Sequence, residues 1–138
     1  MAPDSPRRSR LAIAICLVAG LYWLAIFVLT HAPVEPTPDP PRYPLDKIAH
    51  LAVFAGLAVL LCAAGTTLGY PPRRVFAAVL AIVAAYGVFD ELTQQLVAHR
   101  EPDFLDWTAD MLGAGVGITF FSIAREVLLA IGRRVTVT

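Results

Sequence analysis

The chain has 138 residues, of which 57% are hydrophobic and only 16% are charged, and its formal net charge is zero. Soluble domains normally carry about 25% charged residues, so this composition excludes an ordinary soluble enzyme and indicates an integral membrane protein. The length allows a few spanning helices of about 20 residues in one domain. The zero net charge also argues against nucleic acid as a partner, because surfaces that bind nucleic acid are usually basic.

The first predicted element is a membrane helix over residues 11–30, after a polar N-terminus, residues 1–10, that contains three arginines. Its 20 uncharged residues match a hydrocarbon core of about 30 Å at about 1.5 Å per residue. A cleaved signal peptide usually has an apolar segment of about 7–15 residues followed by small residues. Because Thr30-His31-Ala32-Pro33 is a poor cleavage site, we expect a retained helix.

A proline-rich loop follows, and three further apolar segments come after it. Residues 31–44 contain six prolines, a density that excludes helix and favours an extended linker. The next spans are predicted at residues 48–68, 75–97 and 106–124. The sequence thus predicts an all-α, four-helix membrane bundle in a single domain, residues 11–124. Residues 125–138 form a tail that either extends the last helix or lies on the membrane surface.

The basic residues predict the orientation of this bundle. Eight of the eleven Lys and Arg residues lie in the N-terminus, in the turn over residues 69–74, or in the C-terminal tail. Short cytoplasmic segments are enriched in Lys and Arg. Both termini and the tail are therefore predicted to be cytoplasmic, with residues 31–44 and 98–105 on the outer side.

The most unusual stretch is a polar segment near the outer end of the third helix. It places Asp90, Glu91, Gln94 and Gln95 on a helix that is otherwise suited to lipid. An ionisable group in a spanning helix costs about 2.5–3.5 kcal/mol on insertion scales, so such groups face a protein interior or water. Spacings of three and four residues place these side chains on one helix face. Helical rise puts the two acids about 10 Å below the outer boundary.

Polar residues also begin the second and fourth helices on the same side of the membrane. Asp46 and His50 are four residues apart, as are Asp106 and Asp110, and Lys47 lies three residues before His50. These spacings place the members of each set on one helix face. Capping of the helix N-termini is an alternative role for Asp46 and Asp106. We expect one polar pocket in the outer leaflet, formed by three helices.

Gly113 and Gly117 follow Asp110 on the fourth helix with a spacing of four residues. Small residues at this spacing let two membrane helices approach closely. The spacing therefore predicts that Asp110 is held against a neighbouring helix.

Three separated motifs carry a resemblance to a known family. They are Asp46-Lys47-x-x-His50, Tyr86-Gly87-x-x-Asp90-Glu91-x-x-Gln94, and Arg100-x5-Asp106-x-x-Ala109-Asp110-x-x-Gly113. In this order, over residues 45–120, they resemble the VanZ-like family of small bacterial membrane proteins. The resemblance implies a multi-pass protein of the bacterial cytoplasmic membrane, and the founding member of the family is linked to teicoplanin resistance. The chain departs from the family pattern at Asp110, where Asn is usual, and this departure adds a charge.

The predicted pocket has more acids than cations. Three fixed cations, Arg42, Lys47 and Arg100, face seven acids at the helix ends and in the loop before the fourth helix, and burial of such an imbalance is costly. These acids are Asp46, Asp90, Glu91, Glu101, Asp103, Asp106 and Asp110. Protonation of a carboxyl group, a charged His50, a divalent metal ion or a cationic ligand would offset it. The sequence does not choose among these, so the cofactor is unknown and a divalent metal in the acidic cluster is one of the options.

The first hypothesis for function is an enzyme that acts on a lipid-linked component of the cell envelope. His50 with Asp90 or Glu91 would supply the general acid and base, and Lys47 and Arg100 would hold a phosphate or another anion.

The second hypothesis is a binding protein for a membrane lipid or a lipid-linked envelope precursor, which needs complementary charge and an apolar groove but no proton transfer. The third reading is structural, because ion pairs of Lys47 and Arg100 with the acids would clamp the helices. A proton carrier is disfavoured, because no polar group continues through the inner halves of the last three helices. The predicted ligand-binding residues are Asp46, Lys47, Gln94, Arg100, Asp106 and Asp110.

Overall fold

The computed structural model describes residues 6–33, 43–97 and 103–135. The described residues form four α-helices, which are α1 (Pro6–Thr30), α2 (Tyr43–Thr67), α3 (Pro72–Gln94) and α4 (Phe104–Val135). All four are long and apolar enough to cross a membrane. The all-α, four-helix membrane bundle expected from the apolar segments is confirmed.

Every helix begins two to five residues before its predicted span, with α1 at Pro6, α2 at Tyr43 and α3 at Pro72. The expectation that residues 31–44 exclude helix is therefore wrong for Tyr43 and Pro44, because proline is tolerated in the first turn of a helix, where its missing N–H has no partner in any case.

α3 ends at Gln94 rather than at residue 97, and α4 begins at Phe104 rather than at residue 106. α4 then continues to Val135, so the segment after residue 124 extends the last helix. Its 32 residues measure about 48 Å at 1.5 Å per residue, which exceeds a hydrocarbon core of about 30 Å. One end of α4 therefore extends beyond the apolar layer.

The helices alternate in direction, and one end of the bundle is closed by a tight turn between α2 and α3. Gly69 has a φ of 96°, the left-handed conformation that glycine commonly adopts after a helix. The Tyr70 N–H donates to the Gly65 carbonyl at 3.1 Å, and the Gly69 N–H donates to the Thr66 carbonyl at 3.1 Å. Pro72 then begins α3, where the missing N–H costs nothing.

Two glycines bring α4 against α2. A Cβ atom on Gly113 would lie 2.3 Å from the Leu51 carbonyl oxygen, and one on Gly117 would lie 2.3 Å from the Ala55 carbonyl oxygen. Such distances are far below van der Waals contact, so both positions require glycine. The close helix approach that the glycine spacing predicts is present, and α2 is the neighbouring helix.

The apolar core lies at the centre of the bundle. Phe54, Leu57 and Val83 are almost completely buried. The Trp23 ring of α1 packs edge-on against the Tyr86 ring of α3, with 5.1 Å between centroids. Large apolar side chains on the outer surface of all four helices are exposed, as expected for surfaces that face lipid acyl chains.

Candidate functional site

A polar cluster lies at the end of the bundle where the last turns of α1 and α3 meet the first turns of α2 and α4. It contains every buried polar or charged residue of the described part of the chain, which are Asp90, Glu91, Gln94, Asp106 and Asp110. The sequence predicted contributions from three helices, whereas α1 also takes part. We call this group, with Thr30, His31, Asp46, Lys47, His50 and Asp103, the polar cluster.

Lys47 bridges α2 to the start of α4. Its ammonium group donates to the Asp106 carboxylate, to Asp103 Oδ2 at 2.6 Å and to Asp46 Oδ2 at 3.4 Å. Asp103 precedes α4, and its Oδ1 accepts the Leu105 N–H at 2.8 Å. The pKa of the Asp103 carboxyl group lies below its ordinary value, mainly because of the hydrogen bond from the Lys47 ammonium and to a smaller extent because of the one from the Leu105 N–H. Asp103 therefore caps α4, and the Asp106 side chain pairs with Lys47.

His50 connects α2 to a second acid of α4. Its Nδ1 lies 2.9 Å from Asp110 Oδ1, and its Nε2 lies 3.9 Å from Asp106 Oδ1. When Asp110 is ionised, its carboxylate can only accept a hydrogen bond, and the His50 Nδ1–H is then the donor. In the neutral imidazole, Nε2 then keeps its lone pair. That lone pair is available to a proton or a metal ion beside Asp106.

Glu91 has one carboxylate oxygen that lacks a hydrogen bond. Its Oε2 accepts the Asp103 N–H at 2.7 Å, whereas its Oε1 is buried and has no hydrogen-bond partner in the described part of the chain. Asp103 also accepts a hydrogen bond from Lys47, so Glu91 is linked through Asp103 to the groups of α2 and α4. A buried acceptor without a partner is costly, so this oxygen marks a position that a cation or a hydrogen-bond donor would fill.

Asp90 forms a second set of contacts, between α1 and α3. Its Oδ1 accepts from the Thr30 hydroxyl at 3.0 Å and from the Tyr86 hydroxyl at 3.1 Å. Its Oδ2 accepts from the Gln94 amide at 2.6 Å. The carboxylate is 1% exposed and accepts from three donors, of which Thr30 joins the end of α1 to α3.

Sequence reasoning missed Thr30 and His31 as members of the cluster. His31 Nε2 lies 2.8 Å from the Thr93 hydroxyl, and His31 Nδ1 lies 3.8 Å from Asp90 Oδ1. The polar pair comes directly after an apolar span, at the same predicted membrane boundary as the other polar residues. This position was the feature of the sequence that could have identified Thr30 and His31 as members of the cluster.

The predicted site residues are brought together with different partners from those first considered. In the described residues, His50 pairs with Asp110 rather than with Asp90 or Glu91. Gln94 binds Asp90, as their spacing suggested. Arg100 lies outside the described residues, so its predicted part in the site stays a prediction.

An open groove between α1 and α2 leads away from the polar cluster. Its volume is about 210 Å³. Thr30, Asp46 and His50 supply polar groups at the bundle end, and apolar side chains line the deeper part, which are Ile26, Leu29, Ala49, Val53 and Phe54. We call it the α1–α2 groove.

Three side chains of the cluster are also arranged so that they could share a metal ion. Asp46, His50 and Asp106 each offer one ligand atom, and these atoms all lie within 4.8 Å of one another. Two of the ligands come from one turn of α2 and the third from α4.

Comparison with known proteins identifies the family. A family model described as VanZ/LLP1 matches residues 9–125, a range that includes the whole polar cluster and most of every helix. Comparisons with curated proteins and with solved structures give no match. The chain is therefore a multi-pass membrane protein that belongs to the VanZ/LLP1 family.

Proposed function

We propose that the polar cluster binds the head group of a membrane lipid or a lipid-linked envelope precursor, on the outer side of the bacterial cytoplasmic membrane. The α1–α2 groove carries this proposal, because its polar lining at the end of the bundle adjoins an apolar lining from α1 and α2. A lipid has the same division into a polar head and an apolar chain. The groove supports entry of the head group at Asp46 and His50, with the chain beside Val53.

The charge of the cluster favours a ligand that brings positive charge. Lys47 is the fixed cation among the described residues of the cluster, and it contacts three carboxylates. The cluster holds six acids in all, which are Asp46, Asp90, Glu91, Asp103, Asp106 and Asp110. Such an excess of acid at the edge of a membrane is costly unless it is offset. An amine on the head group, or a phosphate held through a metal ion, supplies the offset.

Catalysis on the bound head group is an extension of this proposal, supported by the geometry of His50. Asp110 fixes the Nδ1 side of the ring, and a histidine oriented by a carboxylate is a common general base. If the cluster is catalytic, His50→Gln should retain the lipid and leave it chemically unaltered.

The alternative function is structural, and the contacts of Lys47 favour it. This one ammonium group joins α2 to Asp103 and Asp106 at the start of α4, and His50 with Asp110 adds a second link between the same helices. A polar cluster that only clamps helices would need no ligand.

Native mass spectrometry of the protein extracted with its own lipids tests the proposal. Ala49 is exposed and lines the α1–α2 groove, whereas Ala52 is exposed on the same helix and does not line it. The parent and Ala52→Trp should retain the same envelope lipid, and Ala49→Trp should lose it because the indole fills the groove. A folded parent without a specific lipid, or an Ala49→Trp variant that retains it, would contradict lipid binding and favour the clamp.

The link of the family's founding member to teicoplanin resistance supports a cellular expectation. We expect expression of this chain to change the teicoplanin susceptibility of a susceptible bacterium, and Ala49→Trp to remove the change. Equal inhibitory concentrations for the parent and an empty vector would contradict this phenotype.

A further inference from the structure

We propose that Asp46, His50 and Asp106 bind a divalent transition-metal ion, with Zn²⁺ preferred, where the polar cluster opens into the α1–α2 groove. The ligand atoms lie within 4.8 Å of one another. Two ligands of one zinc ion, each about 2.1 Å from it, are at most about 4.2 Å apart. The distance of 3.9 Å between His50 Nε2 and Asp106 Oδ1 already satisfies this limit. The Asp46 side chain is 59% exposed, so it is free to rotate into place.

The contact between His50 and Asp110 prepares the imidazole for a metal. Asp110 Oδ1 lies 2.9 Å from His50 Nδ1, and the Asp110 side chain is 2% exposed. Histidines that bind metals commonly donate their other N–H to a carboxylate, which fixes the ring and raises the basicity of the ligating nitrogen. Here the same arrangement leaves Nε2 as the ligating atom, on the side of Asp106.

Glu91 provides an independent observation that points to a bound cation. The residue is more than nine-tenths buried, and its Oε1 has no hydrogen-bond partner among the described residues. Its Oε2 accepts the Asp103 N–H, and Asp103 shares the Lys47 ammonium with Asp106, which links Glu91 to the proposed site. A cation at Asp106 would offset part of the buried negative charge of Glu91.

The donor set decides the class of metal. One imidazole nitrogen with carboxylate oxygens suits Zn²⁺ and Mn²⁺, whereas Mg²⁺ and Ca²⁺ prefer oxygen ligands alone. The order of divalent-metal affinities places Zn²⁺ above Mn²⁺ at such a site. Lys47 also contacts Asp106 and Asp103. When Asp106 ligates the metal ion, the Lys47 ammonium still forms its ion pair with Asp103.

Metal binding uses the same cluster as the proposed lipid site but needs no lipid, so the two proposals can fail separately. The full-length protein would be purified in detergent without a polyhistidine tag, freed of lipid and treated with a chelator. Isothermal titration would then measure the binding of Zn²⁺, Mn²⁺ and Mg²⁺. The variants are Asp46→Asn and His50→Ala. The control is Glu126→Gln, at an exposed carboxylate of α4 that pairs with Arg125 away from the cluster.

We expect the parent and Glu126→Gln to bind a single equivalent of Zn²⁺, more tightly than Mn²⁺ and much more tightly than Mg²⁺. Because ligand loss should cost at least as much as the roughly 10–100-fold typical of a lost supporting contact, Asp46→Asn and His50→Ala should bind at least about 10-fold more weakly. Asp46 is exposed, so its substitution should leave the fold unchanged even if His50→Ala unfolds. No stoichiometric Zn²⁺ binding by the folded parent, or undiminished binding by folded Asp46→Asn, would overturn the proposal.

Discussion

Substitution of Gly113 by alanine should destabilise the bundle by separating α4 from α2. A Cβ atom at this position would lie 2.3 Å from the Leu51 carbonyl oxygen and 3.1 Å from the Ala55 nitrogen. Relief of the first contact requires a movement of about 1 Å by backbone that is already packed. Overpacking of this kind costs about 1–3 kcal/mol.

Gly115→Ala is the matched control, because it changes the same residue type on the same helix. A Cβ atom on Gly115 would have no heavy atom of a neighbouring side chain or helix within 4 Å. Both substitutions replace a helical glycine by alanine, which alone favours the helix by up to about 1 kcal/mol. The difference between the two variants therefore isolates the clash.

The assay is equilibrium unfolding in mixed detergent micelles, followed by circular dichroism. Gly113→Ala should have a free energy of unfolding about 1–3 kcal/mol below that of Gly115→Ala. Gly113 lies one turn from Asp110, and Leu51 adjoins His50, so a wider spacing should also weaken the contact between those two side chains. Equal stability of the two variants would refute the close contact of α2 with α4 at this point.

Three further predictions concern the polar contacts. Lys47→Met should lower the free energy of unfolding by about 1–3 kcal/mol, because it leaves the buried Asp106 carboxylate without its ammonium while the partial exposure of Lys47 limits the cost; unchanged unfolding curves would contradict this. The lowered pKa of Asp103 means that its stabilising effect is complete above its ordinary pKa of about 4 and disappears as the pH falls through the lower folded value. The difference in melting temperature between the parent and Asp103→Asn should accordingly vanish at low pH. A difference that grows on acidification would contradict a lowered pKa of Asp103. Thr30→Val keeps the shape of the side chain but removes the hydrogen bond to Asp90, so it should lower the free energy of unfolding by about 1–2 kcal/mol in the same assay. A stabilised variant would contradict the role of Asp90 as the link between α1 and α3.

The fold could be predicted from the sequence because the apolar runs are long and well separated. The end of α4 could not, since apolar residues and arginines after residue 124 suit a helix and a surface tail equally. The approach of α4 to another helix was predictable from Gly113 and Gly117. The spacing could not identify α2 as the partner, because a spacing describes one helix face and not the surface packed against it.

The members of the polar cluster were mostly predictable, whereas their pairs were not. Spacings of three and four residues place Asp90 beside Gln94 on α3, and the structure has that contact. The choice of Asp110 as the partner of His50 spans 60 residues and depends on the packing of α2 on α4. Asp103 was recognised only as one of several loop acids, because its cap of α4 depends on where that helix begins.

Glu91→Gln provides the most direct test of whether the polar cluster serves a ligand or only clamps the helices. Glu91 Oε1 has no hydrogen-bond partner in the described part of the chain, so a neutral amide there removes buried charge and costs the helix contacts little. The control is Glu126→Gln, at an exposed carboxylate on α4 that pairs with Arg125 away from the cluster.

The measurement combines native mass spectrometry of retained lipids with equilibrium unfolding of the same samples. Binding by the cluster predicts that Glu91→Gln is at least as stable as the parent but loses the retained lipid, and that Glu126→Gln keeps both properties. A less stable Glu91→Gln variant that retains the same lipids as the parent would contradict the account.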